Sequence, residues 1–237
     1  LECGGSDATS AISANPVVGY VTNKLIDLGA TVIFAETPEV IGAEHILLAR
    51  MESTNLKDKF LRYVKWFEDE MLKAGVDIRG TNPTPGNIKG GISTLEEKSL
   101  GAIIKSGSKP IVEVVNYGER PHSKGLIFMN TPGYDVESVT GLVAGGSQVI
   151  IFTTGRGTPV GSPIAPVIKV TGNPYTYRKL ASIFDVYVGT VVEGTESIES
   201  AGERLFNELL SIASGKLTAS EIFNHNEYSI WRLGTSF

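Results

Sequence analysis

Apolar runs of four to six residues recur along this chain, and a helical pattern separates nearly every one from the next: Ala30–Ala35, Pro110–Val115, Leu126–Met129, Gln148–Phe152, Pro166–Val170 and Asp185–Val188. Strands this short and this continuously apolar are those of a parallel sheet buried on both faces. Between them, residues 17–28 start after the capping residues Ser13 and Asn15 and Pro16, and read as a helix. Residues 38–50 read as a second helix and 55–74 as a third, the latter with Leu56, Phe60, Val64, Phe67 and Met71 on one stripe. A capping box of Ser93 and Glu96 opens a helix to about Ser106. Further helices begin at Asp135 and Pro174, and residues 195–214 carry Ile198, Ala201, Leu205, Leu209 and Ile212 on one face. Residues 77–92 read as a long loop and 218–237 as a mixed tail. The alternation predicts a single α/β domain over residues 1–237, a three-layer α/β/α arrangement whose Rossmann-like, mostly parallel sheet has helices on both faces.

In such sheets ligands collect beyond the carboxyl ends of the strands, and three glycine-rich polar turns fall at or near such ends: Leu1–Ser10, Asn82–Gly91 and Thr153–Pro159. Each pairs glycines with hydroxyls, amides or a cation, as backbone N–H groups that approach an anion require. The first lacks both the G-x-G-x-x-G spacing of a dinucleotide site and the lysine of a P-loop, so it reads either as a plain strand-to-helix turn or as a site for anions and sugar hydroxyls.

The formal net charge of −5 and the absence of a basic run exclude a general nucleic-acid binder. One cysteine, Cys3, excludes an internal disulfide framework and fits a reducing compartment, so the expected location is the cytoplasm. Cys3 reads as a buried small residue, with a reactive or metal-binding thiolate as the alternative. No apolar stretch approaches the roughly 18 residues of a membrane span.

Glu36, Glu39, Glu44 and His45 follow one strand closely, yet their spacing forms no clean metal face on one helix. Glu36 and His45 are candidates for a divalent metal or for proton transfer, against the alternative of a solvated charged helix. Arg120 in Gly118–Lys124 and Arg156 between two glycines are candidates to grip a carboxylate. Ser6, Asp7, Asn15, Asn82, Thr84, Asn87 and Thr154 are candidates to order hydroxyl groups, and Lys89 and Lys124 to meet an anion.

Taken in order, Cys3–Asp7, Ser13–Pro16, Glu36–His45, Asn82–Asn87, Lys89–Gly91, Gly118–Pro121, Lys124–Phe128, Phe152–Pro159 and Ala165–Lys169 resemble the C-terminal part of the altronate/galactarate dehydratase family over nearly the whole chain. His122 and the tail after Asn226 depart from that pattern. The resemblance implies a hydro-lyase acting on a sugar acid, with iron(II) or manganese as cofactor and Glu36, His45, Arg120 and Arg156 as catalytic candidates. It implies a longer protein, with a missing N-terminal domain or a separate small subunit as partner, a fragment inactive on its own, and homo-oligomers as a further expectation. A relative that releases sulfite from sulfolactate supplies the alternative activity, and a non-catalytic sugar-acid-binding module is a third reading.

Overall fold

The computed structural model describes residues 1–232; the last part of the expected tail, residues 233–237, lies outside them. Seven strands form: β1 (Glu2–Cys3), β2 (Val32–Phe34), β3 (Ile111–Val115), β4 (Leu126–Met129), β5 (Ile150–Thr153), β6 (Val167–Thr171) and β7 (Val186–Tyr187). All pairings are parallel, in two sheets ordered β1-β5-β6-β7 and β2-β4-β3. The sheets abut where the Leu1 nitrogen donates to the Ile33 carbonyl at 2.5 Å. Chain order reverses at this seam, since β2, β4 and β3 lie to one side of β1 and β5 to the other.

Side chains alternate across the sheet, and the alternation builds two cores. Leu126 and Phe128 of β4 face a large core with Phe34, Phe60 and Val17, whereas Ile127 and Met129 face a smaller one with Phe152, Val139 and Leu142. The large core lies under α1 (Asn15–Asp27), α3 (Thr54–Lys73), α6 (Leu95–Ile103) and α9 (Ile198–Ala213). Phe128 meets Phe34 and Phe60 edge-on, with ring centroids 5.2 and 5.0 Å apart. The smaller core packs against α7 (Asp135–Ala144) on the opposite face. Helices on both faces of parallel strands are the three-layer arrangement expected.

Two local expectations are corrected. Residues 38–50 are not one helix: a 3-10 turn over Thr37–Glu39 is followed by a short α2 (Glu44–Leu48), with Gly42 between them at φ 89°. Residues 77–92 are not an open loop, because Asp77 caps α4 (Ile78–Thr81) and Thr84 caps α5 (Pro85–Lys89). The capping pair of α6 is also shifted by one residue, since Thr94 accepts from the Glu97 backbone N–H. The remaining helices are α8 (Pro174–Leu180) and α10 (Ala219–Ile222), and a π-helical turn over Ser10–Ala14 leads into α1.

Candidate active site

The seam between the sheets places Cys3 at the carboxyl end of β1 and Glu36 just past that of β2. Glu36 adopts a left-handed backbone conformation, φ 77°, unusual for a residue with a side chain. Its N–H donates to Thr131 Oγ1 at 2.9 Å, and the fully buried carboxylate turns back toward β1. There Glu36 Oε2 accepts from the Cys3 backbone N–H at 2.9 Å and from Lys105 Nζ at 2.7 Å. Lys105, in the 3-10 turn that ends α6, also reaches Cys3 Sγ at 3.1 Å and Glu39 Oε2 at 3.4 Å. The Cys3 thiol donates to Glu39 Oε2 at 2.8 Å. Lys98, seven residues before Lys105 and so on the same helical face, lies 3.3 Å from Glu39 Oε1 and donates to Asn82 Oδ1 at 3.1 Å.

Two more carboxylates border the group. Glu2 is fully buried behind β1 and accepts from Ser138 Oγ at 2.7 Å. Asp135, the first residue of α7, lies over Gly4: a Cβ on that glycine would come within 2.4 Å of both carboxylate oxygens. Among the described residues, Glu2 Oε1 and Glu36 Oε1 are buried without a hydrogen-bond partner.

Burial and mutual repulsion separate the acids into protonation classes. Burial, then the neighbouring Glu39 charge, hold Glu36 at about 8. Burial and Glu36 push Glu2 up as well. Burial acts upward on Glu39 too, but Lys98 and Lys105 outweigh it and hold that carboxyl below its ordinary value. Asp135 is raised to about 6 by burial and by Glu39, against the pull of Lys98. Burial and the Glu39 charge push the Cys3 thiol up, so it stays protonated at neutral pH. Burial opposes the charge on Lys105, but Cys3, Glu36 and Glu39 overcome it and keep the amine an ammonium. Acids pushed apart in this way, beside a lysine pair, form an acid–base centre.

Cys3 Sγ and the Glu36 and Glu39 carboxylates lie within 4.8 Å of one another, a donor set that by chemistry suits a transition metal. Lys105 Nζ, however, is within hydrogen-bonding reach of all three. A metal ion there would have an ammonium as its neighbour, so these residues as folded fit a buried lysine and not a divalent metal.

Of the residues singled out in the sequence, the structure brings Glu36 into this cluster and Ser6 beside it, its hydroxyl 3.7 Å from Cys3 Sγ. Ser6, Asp7 and Asn15 line a cavity of about 100 Å3 together with Lys98, and Asn82 contacts that lysine from outside the cavity. Asp7 and Asn15 are largely occupied with the fold: Asp7 accepts from Thr9, Ser10 and Asn173, and Asn15 bonds the Gly101 carbonyl and Thr153. Thr84 and Asn87 cap each other, Asn87 ties α5 to the Ser6 carbonyl, and Thr154 accepts from the Gly157 N–H. Arg156 is exposed, its guanidinium against Gly86, and Lys89 is exposed at the end of α5.

Three expected site residues are not brought to the cluster. His45 is exposed on α2, whereas Glu36 is fully buried, and the three-donor group of the described residues is Cys3, Glu36 and Glu39 without His45. Arg120 and Lys124 are exposed at the amino end of the sheet: Arg120 lines a cavity with Ala30–Ile33 and Ser147–Val149, and Lys124 precedes Gly125, whose carbonyl meets the start of β2. The loop after β3 carries them away from the carboxyl ends as it returns to the start of β4.

A parallel α/β domain with an acid–lysine centre at the carboxyl ends of its strands, where chain order reverses, has the architecture of a small-molecule site. The chain belongs to the D-galactarate/altronate dehydratase family, whose C-terminal model matches residues 1–236. It is 42% identical over 98% of its length to a galactarate dehydratase (L-threo-forming) of Escherichia coli, covering 44% of that protein. It is 36% identical over its whole length to an altronate dehydratase of Bacillus subtilis, covering 47%. It is also 38% identical over 98% of its length to the (2R)-sulfolactate sulfo-lyase subunit beta of Chromohalobacter salexigens, covering 60%. The chain thus spans about half the length of the dehydratases it matches.

Proposed function

We propose that the protein carrying this chain is a hydro-lyase of a sugar acid such as galactarate or altronate, forming a 2-keto-3-deoxy acid. The observation that carries this reading is the lysine-centred carboxylate cluster at the sheet seam, in a chain that the dehydratase family matches from end to end. Eliminating water from a sugar acid means breaking the C–H bond next to the carboxylate, which builds negative charge there, and protonating the departing β-hydroxyl. Cations at the carboxylate stabilise that charge, and an acid and a base of different pKa move the protons. Lys98 borders the small cavity and is the cation placed to meet the substrate carboxylate. Glu36, held near 8, carries a proton at neutral pH, and Lys98 and Lys105 keep Glu39 ionised beside it.

A cavity of about 100 Å3 is well below the roughly 300–1,000 Å3 of ordinary ligand pockets. We infer that a six-carbon acid seats only its carboxylate end here and that the remainder of the longer protein, or a separate small subunit, covers the rest. Iron(II) or manganese, the cofactor the family resemblance implies, finds no ligand set clear of Lys105 in this cluster, and no step above runs through it. The cytoplasm remains the proposed location; no helix of the described residues is long and apolar enough to cross a membrane.

The test is an assay of the full-length protein, with and without iron(II) or manganese, on aldonates, aldarates and sulfolactate. Keto-acid formation from one sugar acid is the expected result. The sulfo-lyase is the second reading, favoured by the larger share of that relative which the chain covers; sulfite release would establish it, and no turnover on any acid would refute both.

A further inference from the structure

We propose that Asp135 is the base of this site, the carboxylate that takes the proton from the carbon next to the substrate carboxylate. The inference rests on the hydro-lyase reading above and adds to it the group that begins the reaction.

Asp135 is the one acid of the cluster poised without a partner. Glu36 and Glu39 accept from Lys105, and Glu2 accepts from Ser138. Beyond its own backbone N–H, the Asp135 carboxylate takes no donor among the described residues. It is not the cap of α7 either, since the residue before the helix is Tyr134 and no side chain caps that end. Half-buried, it lies flat over Gly4, where a Cβ would collide with both oxygens at 2.4 Å. A bare glycine backbone at the end of β1 therefore admits the carboxylate to the seam, within electrostatic reach of Glu39, Lys98 and Glu2.

The charges facing Asp135 are Glu39 from the turn after β2, Lys98 and Lys105 from α6 and the turn that ends it, and Glu2 from β1. Together with burial they leave Asp135 at about 6, so it is ionised at neutral pH yet more basic than a free aspartate. In the step proposed, the α C–H bond breaks, its proton bonds to an Asp135 oxygen, and its electron pair delocalises into the carboxylate. That pair then forms the C=C bond as the β C–O bond breaks. The hydroxyl leaves as water with the proton of Glu36, and the cycle closes as Asp135 releases its proton to solvent and Glu36 takes one up.

The experiment compares full-length wild-type protein with Asp135→Asn and Gly4→Ala on the substrate found in the panel. Asp135→Asn keeps side-chain size and is expected to lower kcat at least 100-fold with KM changed less than about threefold. The acid limb of the wild-type kcat/KM profile, rising through about pH 6, disappears in that variant. Gly4→Ala keeps the carboxylate but displaces it, and is expected to lower kcat at least tenfold. Asp135→Asn with wild-type kcat and an intact acid limb would overturn the proposal, as would Gly4→Ala with wild-type kinetics.

A second readout needs no substrate. The protonated-carboxyl band in the infrared difference between wild type and Asp135→Asn is expected to titrate near 6. Its absence overturns the assignment even where the panel finds a substrate. Its presence with no turnover on any acid condemns the hydro-lyase reading and not the placement of Asp135.

Discussion

Lys105 and Glu36 meet at 2.7 Å although 69 residues separate them in the chain. The ammonium and the carboxylate are both almost wholly shielded from water, with side-chain exposures of 2% and 1%. At neutral pH Glu36 holds a proton, so the charge that answers the buried ammonium is that of Glu39, 3.4 Å from Lys105 Nζ, and removing the lysine takes a partner from that buried carboxylate.

Lys105→Met keeps the length of the side chain and deletes the charge. It is expected to cost about 3–5 kcal/mol of folding stability, the scale for breaking a buried ion pair, read as a lower urea midpoint. It should also free the three donors that Lys105 now occupies. Cobalt(II) is then expected to give a thiolate charge-transfer band in the variant and none in wild type. The same band in wild-type protein would overturn the assignment of this position to an ammonium.

Glu36 sets a pH dependence of stability. Its folded pKa, about 8, lies above its ordinary 4.5, so the folded state holds a proton that the unfolded chain releases first. That contribution is complete below 4.5 and is lost as pH rises toward 8. Glu36→Gln, neutral throughout, is expected to lose this slope. Urea midpoints for both proteins across the window check it, and parallel curves would refute it.

Arg120 lines a cavity at the amino end of the sheet, whereas Glu36 lies past the carboxyl end of β2. Arg120→Ala is expected to leave kcat/KM within twofold of wild type in the full-length protein. A tenfold loss would restore the carboxylate-gripping role expected from the sequence.

Arg156 has no acidic partner for its side chain among the described residues, so Arg156→Lys is expected to change stability by less than about 0.5 kcal/mol. If the guanidinium grips the substrate carboxylate in two-pronged fashion, the same change lowers kcat/KM at least tenfold. Thermal unfolding and steady-state kinetics on one preparation separate the two effects.

The layers were legible in the sequence because parallel strands buried on both faces must be continuously apolar, and β4 and β5 are. Glu36 was legible because it follows such a strand. Lys98 and Lys105 were missed: both sit in a segment that reads as an ordinary amphipathic helix. Their spacing of seven, with Lys105 between Ile104 and Ser106 and Ile103 just before, was the available signal for a charged pair turned inward. Asp135 was read only as the start of a helix, because its nearness to Gly4 depends on where α7 packs. Where Arg120 falls was not legible, because a loop rich in charge says nothing of which end of the sheet it returns to.

The Cys3 N–H finds its acceptor not in a neighbouring strand but in the Glu36 side chain. A carboxylate thus stands in for the missing rung that would stitch β1 to β2, and the two half-sheets are laced together through the very groups assigned the chemistry. A family member that abandoned catalysis would still have to keep an acceptor there or leave the join to the Leu1–Ile33 bond. Across the family, retention of this glutamate is therefore evidence of architecture before it is evidence of activity, and the residues free to vanish with function are those, such as Asp135, that brace nothing.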